Sequence, residues 1–165
     1  MKNLLIIIFL LAASCSVFGQ TWNFDKVEDD FTDEVSFGTW CFGTGDFPFE
    51  NPLISVSENA GELYIGIANA GVFSDSGLTF KLRIDKGFLY TTEHLYIITS
   101  DNNLYFLDYK TGGDRERDLL NLVNDLKNGS VVKVYVTSDY GTYYLEFPLR
   151  NSDKAINQLL KSINQ

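Results

Sequence analysis

Between residues 78 and 84 the side chains alternate without a break: Leu78, Phe80, Leu82 and Ile84 fall on one side of an extended backbone, Thr79, Lys81 and Arg83 on the other. Successive side chains of a strand point to opposite faces, so this period of two fits a strand with one face in a core and one in water. The rhythm returns in residues 22–27, 35–42, 53–57, 62–68, 88–90, 95–99, 104–108, 131–137 and 142–149, with Gly, Asn, Asp and Ser between the pieces. The pattern predicts a mainly β fold: one antiparallel β-sandwich or partly open barrel of about eight to ten strands.

The punctuation agrees with the periods. Glu58-Asn59-Ala60-Gly61 joins two strands as a hairpin, Asp85-Lys86-Gly87 is a turn, Asp101-Asn102-Asn103 closes a tight hairpin, and Ser138-Asp139-Tyr140-Gly141 marks the clearest hairpin of all. Residues 43–52, with two Pro and two Gly, read as a loop. Two segments have a different period. In residues 115–126, Leu119, Leu120, Leu122, Val123 and Leu126 recur at helical spacing, with Asp114 as cap and Asn128-Gly129 as stop. Near the end, Asn151 or Ser152 caps a stripe of Ala155, Ile156, Leu159, Leu160 and Ile163. Two short amphipathic helices should therefore lie against the sheets.

The first nineteen residues have another purpose. Lys2 precedes an apolar run over residues 4–13, and Val17 and Gly19 suit the positions before a cleavage site. The run is shorter than the roughly 20 residues that span a bilayer, so residues 1–19 read as a signal peptide and residues 20–165 as a single β-rich domain, periplasmic or secreted. An alternative is a lipid anchor through Cys15, because Ala12-Ala13-Ser14-Cys15 is similar to a lipobox, with Leu11 one place earlier than usual.

Charge and cysteine count exclude several classes. The chain has 13 basic and 22 acidic side chains; without Lys2 the exported part has 12 against 22, a net charge of −10, which repels nucleic acid. Cys41 is the single cysteine outside the leader, so no internal disulfide holds the domain, and its neighbours Trp40 and Phe42 suit a buried thiol. No GxxxxGK, HExxH, CxxC or GxSxG sequence is present, and with one His, His94, a zinc site is not expected. No cofactor is called for. The acidic stretch of Asp25, Glu28, Asp29, Asp30, Asp33 and Glu34 lacks the alternating ligands and central Gly of a calcium loop and reads first as a solvated turn.

Recognition is better served than catalysis. Tyr64, Tyr135 and Tyr144 alternate with apolar positions, so their rings fall on the outer side of the sheet, where they would offer a platform for protein or glycan. Trp22 with the acidic turn, Leu63-Tyr64-Ile65, Leu82-Arg83-Ile84-Asp85, and Tyr144-Leu145-Glu146-Phe147-Pro148-Leu149 leading into Asp153, Ala155 and Ile156 together resemble the periplasmic accessory proteins associated with type VI secretion, the TagO-like group. Members usually carry cysteines toward the middle and end of the chain, where this one has only Cys41. The resemblance implies an exported, non-catalytic β domain, with Arg83 and Asp85 matching a strand-end pair that serves as an internal ion pair, turn clamp or partner contact. The expectation is an accessory or binding domain of the cell envelope. The alternatives are a small hydrolase of envelope glycan or peptide that uses acidic residues, and a calcium-stabilised structural module.

Overall fold

The computed structural model describes residues 21–28, 35–46, 51–59, 62–72, 77–100, 102–107 and 115–163. The leader with Cys15, and Asp29, Asp30, Asp33 and Glu34 of the acidic turn, lie outside the described residues. Among the described residues eleven strands and two helices follow in the order β1 (Asn23–Glu28), β2 (Val35–Phe42), β3 (Thr44–Gly45), β4 (Leu53–Asn59), β5 (Glu62–Ala68), β6 (Thr79–Ile84), β7 (Leu89–Thr91), β8 (Tyr96–Ser100), β9 (Asn103–Leu107), α1 (Arg115–Asn128), β10 (Val131–Ser138), β11 (Gly141–Pro148) and α2 (Ser152–Ile163).

The strands form two antiparallel sheets, ordered β1-β2-β4-β5-β9-β8 and β3-β11-β10-β6-β7, and neither closes into a barrel. Register explains why the alternation in sequence becomes a core. In the first sheet Cys41 lies opposite Ile54, Ile54 opposite Ile67, and Ile67 opposite Leu104. In the second, Val134 lies between Leu82 and Leu145. All are buried, and the rings of Phe80 and Phe106, one from each sheet, meet at 4.9 Å. The inner faces therefore pack directly on each other, as in a sandwich.

The eleventh strand, β3, falls inside the segment expected to be a loop. It is how the chain steps from the first sheet to the second: after β2, Gly43 sits so close to Phe147 and the Glu146 carbonyl that a Cβ there would collide with both. The two residues after it then pair with Leu145 and Glu146 of β11. A strand of two residues has no period to read.

Both helices bury an apolar stripe. Leu119, Leu122, Val123 and Leu126 of α1 are enclosed, as are Ala155, Ile156 and Leu159 of α2, whereas Leu120, expected among the apolar positions, is half exposed. α2 packs on α1, β1, β2 and β4. It joins the same core as the inward-facing Phe24 and Phe37, so α2 lies on the inner side of the first sheet. Ser152 does not cap in the expected way: its hydroxyl is shared between the carbonyls of Leu126 (2.7 Å) and Leu149 (2.8 Å), fastening the start of α2 to the end of α1. Among the described residues no helix is long and apolar enough to cross a membrane.

Candidate recognition surfaces

The outer face of the second sheet is built by register. One rung carries Lys81, Tyr135 and Tyr144, and the next carries Arg83, Lys133 and Glu146. The rings of Tyr135 and Tyr144 meet edge to face at 5.1 Å and 63°, and Lys81 Nζ stands 5.5 Å from the centre of the Tyr135 ring. Such a contact holds an aromatic pair in place while leaving it accessible. Tyr144 is 61% exposed and Tyr135 half-buried. Lys133 Nζ lies 3.6 Å from the Glu146 carboxylate. Lys81, Arg83 and Lys133 thus form a cationic patch across two rungs, on a chain whose net charge is −9.

Beside Tyr144 the sheet edge is hollow. Thr44, Gly45, Asp46, Lys133, Tyr144 and Glu146 border a concavity of about 390 Å³. Two carboxylates face it, and both are engaged: Asp46 accepts the Tyr144 backbone N–H at 2.9 Å, and Glu146 faces Lys133.

Tyr64 does not join this patch. It belongs to β5, opposite Ser57 on the outer face of the first sheet, so the single platform of three tyrosines expected from the sequence is two rings on one sheet and one on the other. The strand period correctly put each ring outward, but period alone cannot say which strands share a sheet. Arg83 and Asp85 also part company. The Asp85 backbone turns left-handed (φ 50°), and its carboxylate accepts the N–H groups of Ser130 (2.9 Å) and Val131 (3.1 Å). Arg83 points outward beside Lys133, and no ion pair to Asp85 is found among the described residues.

Cys41 is fully enclosed, and burial pushes its thiol up to about 11 from an ordinary 9.0. His94 is engaged elsewhere, its Nδ1 2.9 Å from Thr91 Oγ1. Asp25 accepts a hydrogen bond from the indole of Trp40, and no group of three metal-ligating side chains occurs among the described residues.

A second concavity, of about 270 Å³, went unread in the sequence: Phe88 and Tyr90 border it from β7 and the residue before it, Asn121, Asn124 and Asp125 from α1. The available signal was Asn121, Asn124 and Asp125 at helical spacing on the polar face of α1, but nothing local brings them to Phe88. In comparisons with known proteins the chain matches no family model, no curated protein and no solved structure.

Proposed function

We propose that this chain is an exported, non-catalytic binding domain of the cell envelope that holds an acidic segment of a partner protein on the outer face of the second sheet. The observation that carries the reading is the Lys81–Tyr135–Tyr144 rung: a braced aromatic pair, Tyr144 exposed and Tyr135 half-buried, flanked by cations on an otherwise acidic chain. Tyrosine rings give a large contact area for little lost side-chain freedom, and a local positive patch selects a partner of opposite sign. Export rests on the leader, and the accessory role is what the resemblance to type VI secretion proteins implies.

The test is capture of envelope proteins by residues 20–165 and by Tyr135→Ala and Tyr144→Ala variants, with binding of the captured protein then measured against each. Loss of roughly tenfold per ring, with the melting curve nearly unchanged, is the expected result. Equal binding by wild type and the double variant would reject the surface. A hydrolase reading has one observation in its favour, the presence of Asp46 and Glu146 at the same concavity. Release of reducing ends or new amines from envelope glycan or peptide, abolished by Asp46→Asn with Glu146→Gln, would replace the binding reading with that one.

A further inference from the structure

We infer that the concavity between α1 and the start of β7 is a second binding site, which takes one ring of a neutral saccharide. Phe88 forms its apolar wall. The side chain is 50% exposed, and two neighbours fix it from the side: Tyr90 at 4.9 Å and 77°, and His94 at 4.9 Å and 88°. His94 is itself held by Thr91, through Nδ1 and through the backbone N–H of His94 to the Thr91 carbonyl at 3.0 Å. An exposed ring already held in one place loses little freedom when a ligand covers it.

The facing wall is polar in a specific way. Asn121 and Asn124 lie three apart on α1 and both are exposed, while the Asp125 carboxylate, one turn on from Asn121, accepts the Tyr90 hydroxyl at 2.7 Å. That bond ties the apolar wall to the polar one. Each side-chain amide offers two N–H donors and one acceptor, and the carboxylate keeps further lone pairs for a donor.

Chemistry narrows the ligand. Among the described residues no Lys or Arg borders the concavity, and its one charged side chain is the Asp125 carboxylate, which repels an anion. Among the described residues a single carboxylate and two amide oxygens border the concavity, short of the six to eight oxygens that calcium takes. An apolar molecule would cover the amides without giving them hydrogen-bond partners in place of water. A sugar ring answers both walls: its hydroxyls are donors and acceptors in neighbouring pairs, and one face of the ring is C–H. The volume is slightly below the roughly 300 Å³ where pockets for drug-sized ligands begin, which suits one ring and not a buried chain. This site is distinct from the tyrosine face: it lies at the β7 edge of the sheet, where Tyr90, opposite the buried Leu82, is on the inner side, while Lys81, Tyr135 and Tyr144 are on the outer one.

Titration of ¹⁵N-labelled residues 20–165 with glucose, galactose and N-acetylglucosamine, each to about 50 mM, tests the inference through amide shifts. At least one sugar should give saturable shifts at the Asn121 and Asn124 side-chain amides and near Phe88, with millimolar affinity. Asn121→Ala with Asn124→Ala should weaken it tenfold or more without lowering the melting temperature, since both positions are exposed and Ala favours helix. Phe88→Ala should weaken it similarly while sparing binding at the Tyr144 face. Absence of saturable shifts with all three sugars, shifts confined to another surface, or undiminished binding by these variants would overturn the proposal. A response to ammonium or sulfate without any to sugar would overturn it as well.

Discussion

Cys41 is buried, but not by its neighbours in sequence. Trp40 and Phe42 read as apolar surroundings, but alternation turns both of them outward, and the thiol is enclosed by inner-face residues such as Ile54, opposite it on β4. Its one hydrogen has the Phe42 carbonyl at 3.2 Å and the Pro148 carbonyl at 3.6 Å within reach, so the neutral thiol is satisfied where a thiolate is not. Because the folded value is raised, the unfolded chain gives up this proton first as pH increases. Stability from the thiol is therefore intact below pH 9.0 and drains away between there and about 11. Denaturant melts of wild type and Cys41→Ala should differ by about 1–2 kcal/mol near neutrality, from the lost packing. At about pH 10 that gap should narrow by about 1 kcal/mol. A gap independent of pH would mean that the thiol ionises as freely folded as unfolded. Alkylation in the native state should be slow throughout the neutral range for the same reason.

At the scale of elements, the turn after β6 shows what residue spacing misses. On a continuous strand, Arg83 and Asp85 would share a face and invite pairing. The left-handed backbone at Asp85 ends the strand there, and the carboxylate instead fastens the start of β10 by two amides, while the Asp85 N–H donates to the Val131 carbonyl at 3.0 Å. Asp85→Ala removes two charge-assisted acceptors and keeps a side chain in an unfavourable backbone region, for an expected loss of about 2 kcal/mol. Asp85→Asn tolerates that backbone and keeps one acceptor, and should lose about half as much. Equal losses in urea melts would mean that the carboxylate does not clamp the turn. The strands and helices themselves were legible because each carries its own period within a dozen residues. What was not legible is whatever depends on partners far along the chain: β5 meeting β9 through Tyr64 opposite Leu107, β6 meeting β10 through Lys81 opposite Tyr135, and the two-residue β3. Tyr64 was separated from Tyr135 and Tyr144 by this non-local pairing, and Phe88 reached Asn121 the same way.

For the molecule as a whole, the sandwich divides labour between its surfaces. The inner faces and both helices supply one core, leaving the outer face of the second sheet free of the packing demands that dictate the residues opposite it. There Lys81 and Arg83 stand beside the Lys133–Glu146 pair against the overall negative charge. A like-charged patch repels itself modestly, so it is a feature that association with an acidic partner would relieve. Its effect should appear in the rate of encounter more than in the lifetime of the complex. Fields between exposed charges fade beyond about 10 Å at 0.1 M salt, so raising sodium chloride from about 0.05 to 0.5 M should slow association with the partner several-fold and change dissociation little. Lys81→Glu with Arg83→Glu should slow association at low salt by tenfold or more and flatten its salt dependence; both side chains are exposed, so the melting temperature should hold within a few degrees. Tyr144→Ala should do the reverse, accelerating dissociation while the salt dependence stays. Sugar binding at Phe88, where no cation among the described residues borders the concavity and the ligand is neutral, should ignore salt in every variant. If the reversed-charge variant associates as fast as wild type at low salt, the cations do not steer the partner, and an acidic segment is the wrong occupant for this face.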